Sequence, residues 1–215
     1  EEKINDINYE LIIINDFSED NSYEIVKNET SNNEKISLFN NKKKGLGGAI
    51  TLGINESKGD VICIMMSDLS DDLEDLRKYY ELIKEKNLDA VFGSRFIKGS
   101  SLYGYPMKKL ILNRIFNYLT KILFLSNYND FTNAFKIYKK ESLLKSMPLV
   151  SESFNIFLEI PLKIISRNYI YEIIPINWNG RKKGKAKFKI KELRSKYLFT
   201  LIYCFIERNL LNLRK

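Results

Sequence analysis

Apolar and polar residues alternate in short blocks along the first half of the chain. Glu10–Ile14 (ELIII) is an apolar run of strand length that ends in the polar stretch Asn15-Asp16-Phe17-Ser18. Asn21–Lys27 predicts a short helix and Lys35–Phe39 a second strand. Gly47–Ser57 reads as a helix entered through a glycine turn, and Asp60–Met66 (DVICIMM) as a buried strand between Gly59 and Ser67. Asp72–Lys86 carries an N-cap candidate in Asp72, acids in its first turn, and Leu76, Tyr80 and Ile83 on one face, which predicts a helix. Asp89–Gly93 is a further short strand. Continuous apolar strands alternating with helical patterns predict an α/β domain with a mostly parallel sheet and flanking helices.

The second half changes character. Lys108–Leu125 reads as a strongly apolar helix with a thin polar stripe, Lys109, Asn113, Asn117 and Lys121, spaced by four. Ser153–Ser166 and Glu192–Leu211 are further helices, and Tyr169–Trp178 reads as a strand. No internal repeat or low-complexity linker interrupts the chain. The pattern therefore predicts one domain, residues 1–190, followed by a C-terminal amphipathic helix, residues 191–215.

Composition narrows the chemistry. A chain of 215 residues, 44% hydrophobic, buries enough surface to fold without disulfides or a metal staple. Cys63 and Cys204 lie in apolar runs and read as reduced core residues of a cytosolic protein. The absence of histidine removes Ser-His and Cys-His catalysis, histidine acids and most zinc sites. What remains is carboxylates, Lys and Arg, hydroxyls, backbone amides, or a hard cation held by oxygens. The formal charge of +8 favours anionic partners, and Lys and Arg dominate Arg181–Lys196. The chain opens on Glu1-Glu2-Lys3 without a signal-peptide pattern, and no run reaches the roughly 18 apolar residues of a membrane span.

In an open α/β sheet, ligands bind at the carboxyl ends of the strands. Asn15-Asp16 lies directly after one strand, and Asp68, Asp71 and Asp72 directly after DVICIMM. Such acids often serve only as caps and turn residues. Two clusters after two strands, in a chain without histidine, suit a hard cation and a polar ligand. Lys43–Ile54 (KKGLGGAITLGI) places Gly45 and Gly47 at a strand-to-helix turn, where amides approach a diphosphate or where glycines merely permit tight packing. The stretch matches neither the P-loop nor the dinucleotide fingerprint. Arg95, after the fourth strand, is placed to grip a phosphate. Arg181–Lys191 (RKKGKAKFKIK) reads either as a phosphate clamp or as a solvated charge run.

The order of these blocks resembles the family 2 glycosyltransferases of GT-A fold, within them the polyprenyl-phosphate, dolichol-phosphate mannose synthase-like branch. The matching stretches are YELIIINDFSEDNS, NKKKGLGGAITLGINESKGDVI, MSDLSDDLEDL, DAVFGSRFIKGS, NDFTNAFKIYKK, FNIFLEIPLKIISRNYIYEIIPI and RKKGKAK. The resemblance implies transfer of a sugar, with inversion, from a GDP- or UDP-linked donor to a polyprenyl phosphate, assisted by Mg²⁺ or Mn²⁺. It implies that Asn15, Asp16, Gly45 and Gly47 contact the nucleotide, and that Asp68, with Asp71 in support, holds the metal. Arg95, Lys109, Asn113, Arg181 and Lys187 fall where the branch grips phosphate. Asp130 and Thr132 match an element beside the acceptor, with Asp68, Asp130 and Arg95 as the catalytic set, and Glu159 matches an acid on a helix facing the site.

The chain departs from the family pattern at several positions. Met66 stands for the first acid of Asp-x-Asp, Ser70 for a Gln, Asn15 for an Asp, Lys109 for an Arg and Ala186 for a Ser. Glu1-Glu2 occupies the end of the family's first strand, so the resemblance implies a chain lacking that strand. Two readings therefore stay open: a transferase, or an impaired relative that binds nucleotide or membrane without transfer. The apolar stretch YLFTLIYCFI (Tyr197–Ile206), flanked by basic residues, and the Lys108–Leu125 helix predict peripheral association with the cytoplasmic face of a membrane. No nucleic-acid motif accompanies the charge, so no nucleic-acid partner is expected.

Overall fold

The computed structural model describes residues 7–31, 33–68, 70–180 and 190–213, the side chains of 190–194 excepted. β1 (Leu11–Asn15) and β2 (Ile36–Asn40) pair in parallel, Leu11 opposite Ile36 and Asn15 opposite Asn40, with α1 (Ser22–Thr30) between them in sequence. α2 (Leu46–Glu56) leads to β3 (Val61–Ile64), and α3 (Leu73–Glu85) to β4 (Ala90–Ser94). Short β5 (Ser101–Tyr103) precedes α4 (Met107–Leu123), β6 (Lys136–Lys139) and α5 (Lys140–Leu144). α6 (Ile156–Ser166), β7 (Tyr171–Pro175), β8 (Asn177–Asn179) and α7 (Ile190–Asn212) complete the order.

The architecture is the expected α/β sheet with flanking helices. Its largest sheet runs β3-β6-β4-β7, beside the parallel pairs β1-β2 and β5-β8. β4 and β7 are parallel, whereas β6 runs antiparallel to both of its neighbours. β6 is the strand that the apolar pattern does not announce, because its second position in the run Phe135-Lys136-Ile137 is a lysine. The segment predicted as one strand over Tyr169–Trp178 breaks at Ile176 into β7 and β8.

β4 is the spine of the core. All five of its residues are buried, with Ala90 and Phe92 on one face and Val91 on the other. Phe92 packs against Tyr128 and stacks on Tyr171, at ring separations of 4.8 and 4.9 Å. The opposite face meets α3 through Tyr79 and Ile83. Gly93 permits that contact, because a Cβ there would lie 1.8 Å from the Tyr79 hydroxyl. α3 starts as expected: the Asp72 side chain accepts from the Glu74 N–H at 3.0 Å, with Glu74 and Asp75 in the first turn. Its most buried positions are Asp75, Tyr79 and Ile83, with Leu76 and Tyr80 at the margin of the contact. The inner face is thus turned from the predicted one, because Asp75 goes inside to accept from the Asn177 N–H at 2.9 Å.

α4 is amphipathic in the inverted sense. Its polar stripe faces the protein: Asn117 and Thr120 are fully buried, while Met107, Ile111, Ile115, Tyr118, Leu119 and Ile122 are exposed. α7 lies against α4 through Phe116–Tyr197 and Phe124–Phe205 edge contacts, and exposes Leu198, Phe199, Ile202, Ile206 and Leu210. Two neighbouring helices therefore present apolar faces outward.

Candidate active site

The carboxyl end of β1 delivers Asp16 to the turn before α2. Asp16 Oδ1 accepts from the Gly45 N–H at 2.9 Å and from the Asn41 side-chain amide at 2.8 Å. Two of the sequence-predicted nucleotide elements thus touch. Asn15 is spent locally: its side-chain amide donates through Nδ2 to Asn40 Oδ1 at 2.9 Å, and its Oδ1 accepts from the Ser18 N–H at 3.2 Å. The glycine amides require a correction. Gly45 donates to Asp16, and the Gly47 N–H donates to the Glu152 carbonyl at 3.1 Å, so neither is open to a diphosphate. The glycines are demanded by packing instead. Gly45 has φ +123°, and a Cβ on Gly47 would lie 1.9 Å from the Ser151 carbonyl oxygen.

Past β3, Asp68 and Asp71 share one loop. Asp68 Oδ1 accepts from the Ser70 N–H at 3.2 Å and the Ser70 hydroxyl at 2.6 Å, which curls the loop back on itself. Asp71 bridges to Trp178, and the Asn179 N–H bonds the Ser70 carbonyl at 3.1 Å, so β8 braces this loop. Burial, and then the Asp68 charge, push the Asp71 carboxyl up to about 6. Asp71 Oδ2 is buried with no hydrogen-bond partner.

Two adjoining carboxylates, one with an orphaned oxygen, fit a hard divalent cation. Among the described residues no third acid or thiol joins them. Such an ion would take its remaining oxygens from phosphate and water, as Mg²⁺ sites commonly do. Since the ligand must be the carboxylate, cation affinity is expected to fall as pH drops through about 6 and Asp71 protonates. Mn²⁺ calorimetry at about pH 5 and about pH 7.5 measures this. Equal affinity at both values would remove Asp71 from the ligand set.

The end of β4 carries a buried ion pair. Arg95 donates through Nε to Asp130 Oδ2 at 2.8 Å and through Nη2 to Oδ1 at 2.7 Å, and its backbone N–H adds a third bond at 3.0 Å. The guanidinium also lies over the Tyr105 ring, 5.6 Å from its centroid. Asp130 is wholly buried and Arg95 nearly so. This corrects the sequence expectation for both members of the catalytic set: the Arg95 fork is closed on Asp130 and not open to a phosphate, and both Asp130 oxygens are engaged by Arg95. Thr132, two residues on, accepts from the Asn113 amide of α4 at 2.7 Å. Asn117 takes the Phe131 N–H at 2.6 Å and donates to Asn113 Oδ1 at 2.8 Å. The polar stripe of α4 thus docks on the 130–132 loop, and Lys109 lies half-buried one turn before Asn113.

Sequence reasoning missed Lys136. Its ammonium is fully buried and donates to the carbonyls of Phe131 (3.1 Å), Asn133 and Phe157 (3.5 Å). Pro161, lacking an N–H, leaves the Phe157 carbonyl without its helix donor. Desolvation pushes Lys136 down to about 7, against the opposing pull of Asp130. A lysine inside the apolar run FKIY is the one signal that could have marked it. Glu159 also needs correction. It is fully buried and directed at backbone, its oxygens accepting from the Val150 and Ser151 N–H groups at 2.8 and 2.7 Å. Arg181 and Lys187 lie outside the described residues.

An α/β sheet with acids at its strand ends and this helix arrangement defines a GT-A-type domain. The chain belongs to glycosyl transferase family 2, whose family model matches residues 2–146. It is 27% identical over 190 residues to a dolichol-phosphate mannosyltransferase of Pyrococcus furiosus, covering 87% of this chain and 53% of that protein. It is 28% identical over 190 residues to a dolichyl-phosphate beta-glucosyltransferase of Trichomonas vaginalis, covering 85% and 56%. The chain thus spans about half the length of these relatives. In structure it resembles the glucosyl-3-phosphoglycerate synthase of Mycobacterium tuberculosis, solved with Mn²⁺, UDP-glucose and phosphoglyceric acid. The TM-score is 0.67 at 14% identity, covering 91% of this chain and 68% of that one. That likeness concerns the fold.

Proposed function

We propose that this domain transfers a sugar from a nucleotide-sugar to a polyprenyl phosphate. The observation that carries the lipid-linked acceptor is the inverted α4, whose polar side seats Asn113 on Thr132 while its apolar side faces outward. An apolar exposed face of this extent on two adjoining helices suits a lipid surface. The names of the two relatives, both dolichyl-phosphate sugar transferases, support the same acceptor class.

In this reading an acceptor phosphate oxygen attacks the anomeric carbon as the bond to the nucleoside diphosphate breaks, with inversion. The acceptor is already anionic, so the reaction needs no general base. Asp68 and Asp71 would hold the divalent cation, which neutralises the departing diphosphate. Asp16 would read the base edge of a GDP- or UDP-linked donor. The Arg95–Asp130 pair fixes the floor of the site, and Asn113 with Lys109 lies on the acceptor side. Arg181 and Lys187 are assigned to phosphate binding by the sequence resemblance. The second reading, binding without transfer, is favoured by Met66. Asp71, close enough to Asp68 to feel its charge, answers it by supplying a second carboxylate.

Among the described residues no helix is long and apolar enough to cross a membrane. The lipid side is tested by flotation. The domain should float with anionic vesicles at low salt and release at high salt, with roughly 1 kcal/mol per nearby basic residue such as Lys108, Arg114 and Lys121. A domain that stays with the soluble fraction at low salt refutes the membrane assignment.

A further inference from the structure

The Gly45–Gly47 turn is clamped from two sides. On one side Asp16 Oδ1 holds the Gly45 amide; on the other, the Ser151–Glu152 backbone presses on both glycines and its Glu152 carbonyl holds the Gly47 amide. The outer jaw is also pinned by a Lys43–Glu152 ion pair at 2.9 Å, which is solvent-exposed and therefore weak. What sets the path of the 150–152 backbone lies beneath it. The buried Glu159 carboxylate takes the Val150 and Ser151 amides, one on each oxygen, and pairs with Lys163 at 3.3 Å. Nothing else in the described structure gives a fully buried carboxylate two consecutive amides to hold.

We infer that Glu159 is a positioning residue for the donor nucleotide: it fixes the 150–152 backbone, and that backbone fixes the turn against Asp16. The inference rests on the donor reading of Asp16 given above. The geometry leaves little slack. The close approach of Ser151 to Gly47 means that a small shift of the 150–152 segment moves the turn directly. A second tie fixes the same segment. The Asn155 amide donates to the Ser151 hydroxyl at 2.8 Å and to the Thr200 hydroxyl of α7 at 2.9 Å, and Ser151 and Thr200 hydroxyls meet at 3.2 Å. α7, the helix with an outward apolar face, therefore bears on the donor turn through Thr200.

The test is calorimetry of GDP and UDP, each with Mn²⁺, on the full chain and on Glu159→Gln, Thr200→Val and Leu88→Ala. Leu88 packs in the second core cluster beneath α3 and serves as a control for general destabilisation. The expected result is a nucleotide Kd raised about tenfold in Glu159→Gln, the scale on which outer partners act on a site. Thr200→Val should give a smaller rise of the same sign, and Leu88→Ala, matched in thermal stability, no change. Steady-state kinetics should show the donor KM rising while the acceptor KM holds. Tight binding to the parent chain with equal affinity in Glu159→Gln overturns the inference and leaves the donor reading standing. If Glu159→Gln does not fold, unchanged affinity in Thr200→Val overturns it. A parent chain that binds neither nucleotide overturns the donor reading itself, and the inference with it.

Discussion

Replacing Asp130 by Asn is expected to destabilise the fold by about 3–5 kcal/mol, the scale for breaking a buried ion pair by removing one partner. The reason is what remains. Arg95 stays charged inside proteins. In this fold its charge is enclosed, with Asp130 as its bidentate partner and the Lys136 ammonium near enough to feel it. Without the carboxylate, the enclosed guanidinium loses its bidentate partner, and Lys136, already pushed down to about 7 by burial, loses the charge that opposes that push. Burial acts to release the Arg95 proton, and the Asp130 charge more than offsets it, holding the guanidinium above its ordinary value. Chemical unfolding of the parent chain and Asp130→Asn measures the difference. A loss under about 1 kcal/mol, the range of an exposed pair, would mean that water reaches Arg95. Replacing both partners together, as in Arg95→Met with Asp130→Leu, is expected to recover much of the loss, since well-packed apolar pairs often match buried ion pairs.

The second large effect is on binding. Asp68→Asn should lower Mn²⁺-dependent affinity for GDP or UDP by about two orders of magnitude, since a bound cation contributes several kcal/mol of phosphate charge stabilisation and each 1.4 kcal/mol is tenfold. The substitution keeps the Oδ1 acceptor that curls the loop through Ser70, so the fold should survive. It removes the charge that, with Asp71, would hold the ion. The melting temperature should therefore change little while the metal dependence of nucleotide binding is lost. Affinity that is unchanged in Asp68→Asn, with or without Mn²⁺, would take Asp68 out of the site.

Most of the scaffold is legible in the pattern because its strands are short continuous apolar runs and its helices carry recognisable starts. Asp72 caps α3 as its position suggests, and β4 is as buried as DAVFG implies. β6 escapes because a strand between two others can enclose a lysine once three carbonyls surround it, and those carbonyls come from Phe131, Asn133 and Phe157. Nothing local to FKIY records them. The same limit applies to the site. Residue type places Asp16, Asp68 and Arg95 at strand ends. Only tertiary contact reveals that Arg95 closes on Asp130, that the glycine amides are already taken, or that Glu159 lies beneath a turn nearly 115 residues earlier in the chain. The α4 stripe was visible as a pattern of four-residue spacing. Which of its two faces points inward is decided by Asn117 reaching Phe131 and Asn113 reaching Thr132.

The central claim is sugar transfer to a lipid-linked phosphate, and the direct measurement is transfer of labelled sugar. The domain is incubated with Mn²⁺, a polyprenyl phosphate in anionic vesicles, and GDP-mannose or UDP-glucose labelled in the sugar, and the lipid is then extracted. The account predicts label in the organic phase as a polyprenyl-phosphate sugar from one of the two donors, dependent on Mn²⁺ and abolished in Asp68→Asn. Nucleotide binding by the same preparation, with no label in the lipid from either donor, would contradict the account in favour of a relative that binds without transferring.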